Sequence, residues 1–349
     1  MDLINTFLNL TAPPFTFITL CLLLPPFQLL KLFLSLVSSV FSEDVAGKVV
    51  LITGASSGIG EHLAYEYAKR GACLVLAARR ERSLREVADL CMELGSLDAI
   101  VVGADVSKVE DCQRIVDATI SHFGRLDHLV NNAGIVGVSA VEDAEDITKM
   151  RPVMDINFWG SVYTTRFAIP HLRNTQGRIV VMSSSAAWLP APRETIYNAS
   201  KAAMLSFFDT LRVELGSDIK ITIVTPGLIE SEFIKGKVLT KEGEMKVDQE
   251  LRDVQVNVIP VGTVGGTAKS IVNSVLRGDR YVTVPAWFRV TYFLKVFCPE
   301  VLEWTYRVLS MMSTDESPYG AMGKKILDTT GAKAVLYPPG VHSHEVKFD

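Results

Sequence analysis

Charge is nearly missing from the first forty residues: between Leu3 and Ser42 the only charged side chain is Lys31. A basic excess is missing from the whole chain, with 35 Lys and Arg against 39 Asp and Glu and a formal charge of −4. That argues against a nucleic-acid partner, which would ask for a basic face. Paired cysteines are missing as well. The five present (Cys21, Cys73, Cys91, Cys112, Cys298) form no C-x-x-C and leave one over. They read as thiols of a reducing compartment, with no disulfide framework and no zinc site. The six histidines (His62, His122, His128, His171, His342, His344) show no ligand spacing, so no metal is expected. No internal repeat or low-complexity linker interrupts residues 45–290, which read as one domain.

What the front end has instead is apolar length. The stretch PPFTFITLCLLLPPF (13–27) sets ten uncharged residues between two Pro-Pro pairs, and it helps lift the mean hydropathy to +0.25. A secretory signal peptide opens with Lys or Arg and closes at a small-residue cleavage site; this segment opens with Asp2, runs too long and is broken by proline. A core segment of a soluble domain would alternate with a solvated face, and this does not. Residues 1–42 are therefore expected to be a membrane or lipid anchor, with its two Pro-Pro pairs bracketing 13–26. As helix, residues 15–24 would span only about 15 Å, half a bilayer core, and 27–41 add a second piece of similar length. Adjacent prolines remove backbone donors, so the expected geometry is a wedge that enters one leaflet, or a monolayer over oil, and turns back at Pro25-Pro26. The alternative is one tilted helix kinked there, with Lys31 reaching toward the headgroups.

A nucleotide fold begins at Lys48. GKVVLITGASSGIGEHLAYEYAKRGACLVLAARR (47–80) reads as strand, glycine turn, helix, strand. Residues 49–53 form a short apolar run of the kind a strand covered on both faces needs. Gly54, Gly58 and Gly60 let the backbone turn sharply and approach a pyrophosphate at a helix N-terminus. The second strand, CLVLAA (73–78), ends without the acid that would accept an NAD ribose hydroxyl; Arg79 and Arg80 stand there and would pair with a 2′-phosphate, which points to NADP(H). Further strand-like runs at 99–106, 126–134, 177–184, 219–227 and 280–285 alternate with helix-length segments. The expected fold is α/β: a doubly wound parallel sheet of Rossmann type, with ligands at the carboxyl ends of its strands.

In YNASK (197–201), Tyr197 and Lys201 lie one helical turn apart on one face. Tyrosine, with a pKa of about 10, is a poor base at neutral pH, and a neighbouring ammonium stabilises its phenolate. The pattern alone is not specific, since Tyr65 and Lys69 repeat it. Tyr197, however, has Ser184 thirteen residues upstream at a strand end, whereas Tyr65 has Ile52. Asn157 and Asp105 read equally well as a buried helix polar group and a helix cap. Trp159 and Trp188 read as core or pocket wall.

T-G-x-x-x-G-x-G at 53–60, N-N-A-G at 131–134, Asn157, Ser184, Y-x-x-x-K at 197–201 and P-G at 226–227 occur in that order. The set resembles the short-chain dehydrogenase/reductase family over about residues 45–290. The resemblance implies Tyr197 as proton donor or acceptor, Lys201 lowering its pKa and holding the nicotinamide ribose, Ser184 on the substrate oxygen and Asn157 supporting the proton relay. It places Asp105 at the adenine, and adds Ser56, Ser57, Ile59 and Val106 to the cofactor contacts. Asn132, Ala133 and Gly134 join them, as do Pro226 and Gly227. Ser231 stands where the family often has threonine, and keeps a hydroxyl for the carboxamide. A homodimer through the helices bearing Asn157 and Tyr197 is also implied.

With its front end included, the whole chain is similar to the steroleosin group of plant oil-body 11β-hydroxysteroid dehydrogenase-like proteins. That implies hydroxysteroid or ketosteroid substrates, and residence on lipid droplets and the ER membrane with the catalytic domain, 43–290, facing the cytosol. The extension 291–349 is expected to contribute lipid-surface docking, because residues 287–312 are aromatic and apolar with scattered charges; packing on a dimer partner or on the core is the equal alternative. A lipid-droplet coat or sterol-binding protein with little turnover is the second function expected, and it would need neither Ser184, Tyr197 and Lys201 nor the glycines.

Overall fold

The computed structural model describes residues 2–40, 42–311 and 319–342; the parts of the two terminal expectations that fall on residues 1, 41, 312–318 and 343–349 lie outside the described residues. The chain divides into two compact units, Met1–Glu43 with Leu276–Gly278, and Asp44–Val275 with Asp279–Asp349.

The first unit contains one helix, α1 (Asp2–Val40), that runs through Pro13, Pro14, Pro25 and Pro26. The expected turn back at Pro25-Pro26 is not formed. Helical φ suits proline, and each one removes only a single backbone donor, so the carbonyls of Asn9, Leu10, Cys21 and Leu22 lose their i+4 partners while the rest of the ladder persists. The Thr6, Thr11 and Thr19 hydroxyls donate to carbonyls one turn back at 2.8 Å, which satisfies them without water. Asp2–Phe33 is long and apolar enough to cross a membrane and is not buried by protein.

The second unit is built on seven parallel strands: β1 (Val49–Thr53), β2 (Cys73–Ala78), β3 (Ala99–Gly103), β4 (His128–Asn131), β5 (Arg178–Met182), β6 (Lys220–Pro226) and, after a small antiparallel pair β7 (Lys237–Leu239) and β8 (Met245–Val247), β9 (Tyr281–Val284). The sheet order is β3-β2-β1-β4-β5-β6-β9, the expected doubly wound arrangement. Between β strands run α2 (Gly58–Ala68), α3 (Glu81–Glu93), α4 (Val109–Phe123), the short α5 (Arg151–Met154), α6 (Gly160–Thr175), α7 (Thr195–Leu215), α8 (Gln249–Val256) and α9 (Val264–Arg277). Side chains of a strand alternate between faces. Val49, Leu51, Val75 and Ala77 accordingly pack with Ile115 of α4, Leu172 of α6 and Phe208 of α7. Val50, Ile52, Leu74 and Leu76 face the opposite way and are fully buried, as are Leu63 of α2 and Leu84 of α3.

After β9 come α10 (Arg289–Phe297), α11 (Pro299–Tyr306) and α12 (Met322–Thr330). Leu302 of α11 packs with Leu189 and Phe288, and Leu327 of α12 packs with Ile234 and Val256, so these helices wall the region beyond β6.

The chain turns outward along β1, β2, β3 and then returns to β4 beside β1, which leaves a crevice at the carboxyl ends of β1 and β4. Two glycines let the backbone close there. Gly54 has φ +66°, and a Cβ on it would stand 2.7 Å from the Ala133 Cα; a Cβ on Gly60 would stand 2.3 Å from the Gly54 carbonyl oxygen. Because that obstacle is backbone, Gly60→Ala is expected to lower the unfolding free energy by about 1–3 kcal/mol in urea denaturation. Gly265→Ala, whose added methyl would come no nearer than 3.9 Å to a His62 side-chain carbon, is expected to leave it unchanged or slightly raised.

Candidate active site

One cleft spans the crevice and continues past β6 to the walls formed by Phe288 and Tyr306. On the crevice side it is floored by the glycine turn. The Thr53 hydroxyl accepts from the backbone N–H of Asn132 at 3.1 Å and of Ala133 at 3.2 Å, and the Asn132 amide donates to the Thr53 and Gly54 carbonyls at 3.0 and 3.1 Å. Asn132 is thus a clamp that joins the ends of β1 and β4. Helix α2 opens on this turn with Ser57 at its N-cap, and no side chain caps its first N–H groups.

Of the residues expected to hold a cofactor, Gly54, Ser56, Ser57, Gly58 and Ile59 line the cleft, followed along the sheet edge by Arg79, Arg80, Asp105 and Val106, then Asn132, Ala133 and Gly134, and finally Pro226, Gly227 and Ser231. Gly60 lies behind the turn. Asp105 does both things its sequence position allowed: it faces the cleft, and its Oδ1 accepts from the Ser107 N–H at 3.0 Å and the Ser107 hydroxyl at 2.8 Å, turning the chain toward α4. Arg80 is held in place on both sides. Its guanidinium donates to the Ser57 hydroxyl at 2.7 Å and the Ser56 hydroxyl at 3.1 Å, and pairs with Glu232 at 2.7 Å. Glu232, from the loop after β6, also meets Lys237 at 3.4 Å.

The catalytic candidates converge one strand further on. Ser184 follows β5 and accepts from the Ala186 N–H at 3.1 Å. Its neighbour Ser183 instead donates to the Lys201 carbonyl at 2.9 Å, whereas the Ser184 hydroxyl faces the Pro226 carbonyl at 3.5 Å and is the one of the three serines that acts on the Tyr197 phenol. Lys201 is buried with its ammonium 5.7 Å from the Tyr197 ring centroid, donating to the Met182 carbonyl at 2.8 Å. Burial alone pushes that ammonium down to about 8. Burial pushes the Tyr197 phenol above its ordinary value, the Ser184 hydrogen bond works against that, and the nearby Glu194 carboxyl adds to it.

Asn157 is not on the cleft surface. It is fully buried in a π-helical turn, Asp155–Trp159, between α5 and α6. Its amide donates to the Ile135 carbonyl at 2.9 Å and to the Ser200 hydroxyl at 3.0 Å, while its Oδ1 accepts from the Ile135 N–H at 2.8 Å. It ties the loop after β4 to α7, and a Cβ on Gly134 would stand within 3.5 Å of both Asn157 and Lys201. The repeated spacing at Tyr65 and Lys69 carries nothing of this: each pairs with a glutamate on α2, Tyr65 with Glu61 at 2.8 Å and Lys69 with Glu66 at 2.8 Å. Trp188 packs against the Leu189, Phe288 and Leu302 cluster and donates to Thr291 of α10 at 3.0 Å, and Trp159 is half-exposed and stacks on Tyr163. Among the described residues all five cysteines are unpaired, and no three His, Cys, Asp or Glu cluster as metal ligands.

Sequence reasoning missed Glu194, Glu232, Gln255 and Tyr306, all of which line the cleft. Glu194 is 6% exposed, and burial pushes its carboxyl up to about 8.

The family model for short chain dehydrogenases matches residues 48–242. An 11-beta-hydroxysteroid dehydrogenase A of Sesamum indicum is 64% identical and one of Arachis hypogaea 62% identical, each over 349 residues and the full length of both chains. Arabidopsis thaliana 11-beta-hydroxysteroid dehydrogenase 1A is 60% identical over the same span. Among solved structures, a short chain dehydrogenase/reductase from Burkholderia phymatum in complex with NAD superposes with a TM-score of 0.66 at 25% identity, covering 74% of this chain and 96% of that one.

Glu194 and Lys201 set opposite slopes on stability. The folded chain holds the Glu194 proton from the ordinary 4.5 up to about 8, so rising pH costs stability across that window. The folded chain releases the Lys201 proton at about 8 rather than 10.5, so stability recovers between those values. Melting temperature across pH is expected to lose the falling limb in Glu194→Gln and the rising limb in Lys201→Met.

Proposed function

The chain belongs to the short-chain dehydrogenase family, and from that premise we propose that it is an NADP-dependent oxidoreductase that interconverts hydroxysteroids, at an 11β- or 17β-hydroxyl, and ketosteroids. The observation that carries this reading is the convergence of Ser184, Tyr197 and Lys201 beside the uncapped start of α2 in one cleft. A coat or sterol-binding role would need none of these groups in register.

The cleft fits a dinucleotide phosphate on three counts. The glycine turn brings backbone close, the first N–H groups of α2 have no side-chain cap, and Arg80 offers a guanidinium at the end of β2. Arg80, with the Ser56 and Ser57 hydroxyls beside it, would hold a 2′-phosphate, and on that ground the reading takes NADP over NAD. Bound here, the nicotinamide supplies a hydride acceptor or donor to the carbinol carbon and, when oxidised, a positive charge near the phenol. The protein supplies the proton chemistry. Ser184 and Tyr197 hold the substrate oxygen between two hydroxyls, Tyr197 takes its proton in oxidation and returns it in reduction, and Lys201, fixed by Met182, favours the phenolate. The apolar walls at Leu189, Ile259 and Phe288 suit a steroid body.

Helix α1 is the anchor in this reading, on a lipid droplet or ER membrane with the enzyme on the cytosolic side. In the second unit α10 buries none of its residues, and Trp287, Phe293, Phe297 and Trp304 are exposed beside the wall formed by Phe288 and Tyr306. That face meets the lipid surface. The half-exposed Trp159 and Phe207, on the segments bearing Asn157 and Tyr197, serve a homodimer.

NADP⁺ reduction by protein lacking residues 1–41, given 11β-, 17β- and 3β-hydroxysteroids, is expected to fall about 10²–10⁴-fold in Tyr197→Phe. Turnover of none of them, with NADPH still bound, would leave the coat reading. Arg80→Ala is expected to raise the KM for NADP⁺ about 10- to 100-fold and to leave that for NAD⁺ within a few-fold; equal effects on both would remove Arg80 from phosphate recognition. For the lipid face, Phe293→Ser with Phe297→Ser in protein lacking residues 1–41 is expected to weaken liposome cosedimentation at least about tenfold.

A further inference from the structure

Glu194 is a buried acid for which the proton relay has no use. It is the N-cap residue before α7 and precedes Tyr197 by three residues, about one helical turn, and both line the same cleft. Two further elements bring polar groups to it. Gln255 of α8, with its amide nitrogen turned to the orientation that satisfies both acceptors, donates to Glu194 Oε1 at 3.1 Å and to the Pro192 carbonyl at 3.1 Å. Tyr306, closing α11, lines the same cleft and its phenol is raised by burial and then by Glu194.

Among the described residues no cation offsets this carboxyl; burial is the whole cause of its shift. A buried acid without a cation costs stability that an apolar side chain of the same size would not. The rest of this wall is apolar, with Leu189, Ile259 and Phe288 beside it. Gln255 uses one carboxyl oxygen, so the other oxygen and the proton are left to whatever fills the cleft. Kept neutral, the group offers both a donor and an acceptor to a ligand in a dry wall.

We propose that Glu194, backed by Gln255 and flanked by Tyr306, is a second polar subsite that hydrogen-bonds a substrate oxygen other than the one at Tyr197. The inference rests on the hydroxysteroid reading above and deepens it. The substrate class is a rigid apolar molecule with two oxygens on the same face, separated by about one helical turn, as in a steroid that carries 11β- and 17β-oxygens together. Whichever oxygen reacts at Tyr197, the other is held by Glu194.

The test is steroid binding to the full-length protein in detergent micelles with NADPH present, comparing 11β-hydroxytestosterone with testosterone by tryptophan fluorescence. The wild type is expected to favour 11β-hydroxytestosterone about tenfold, the worth of one buried hydrogen bond. Glu194→Leu is expected to bring the ratio to about one, and Glu194→Gln, which retains a donor and an acceptor, to keep it within about threefold of wild type. A wild-type ratio near one, or a ratio unaltered in Glu194→Leu, overturns the subsite and leaves the dehydrogenase reading standing. Should Glu194→Leu fail to fold, the wild-type ratio and its decrease in Tyr306→Phe decide the matter. Binding of neither steroid overturns the steroid reading and the subsite with it.

Discussion

The close approach of backbone at the ends of β1 and β4 is the constraint on which the rest of the site depends. Asn132 can reach both the Thr53 and Gly54 carbonyls only because Gly54 and Gly60 carry no side chain into the gap. That closure fixes where α2 starts, and so where its uncapped N–H groups point. It also sets the level of Gly134 against Asn157 and Lys201, which links the phosphate end of the cleft to its chemical end through a few ångströms of packed backbone. A methyl group at Gly60 would disturb both ends at once.

Dryness is what the packing yields, and it acts on three groups together. Lys201 and Glu194 are buried and Tyr197 is partly buried, and none has an oppositely charged side chain as the cause of its shift. Each is therefore pushed toward its neutral form. For Glu194 neutrality makes a donor. For Tyr197 it keeps the proton on the phenol and makes the phenolate anion the disfavoured form. Within the chain Ser184 and the nearby Lys201 ammonium act for that anion, and Lys201 begins to lose its own charge near pH 8.

The strands were readable because most are short apolar runs, with β1, β3, β5 and β6 rich in Val, Ile or Thr, and a sheet covered on both faces leaves no alternation to confuse the reading. Ser184, Tyr197 and Lys201 were readable because a thirteen-residue interval and a four-residue interval are local matters. The front end misled through its prolines: four of them in α1 argued for a turn, yet each removes a donor without forbidding helical φ. The Arg80–Glu232 pair joins residues 152 apart, and Glu194 meets Gln255 and Tyr306 from two other segments. No spacing rule connects such groups, because the tertiary fold, not the helix period, brings them together.

The cleft's selectivity follows from where its polarity lies. An apolar wall discriminates weakly between ligands that differ by a methylene or an added hydroxyl, whereas a polar group left unpaired by the wrong ligand discriminates strongly. Among the described residues three acids line the cleft: Asp105, Glu194 and Glu232. Asp105 is engaged with Ser107, and Glu232 with Arg80 and Lys237. Both belong to the phosphate side. Glu194 alone stands on the apolar side, without a cation. A lipid anchor raises the concentration of every apolar molecule at the surface alike, so it cannot choose among them. The choice then falls to the few polar groups inside, and the acid one turn from Tyr197 is the one placed to read a second oxygen.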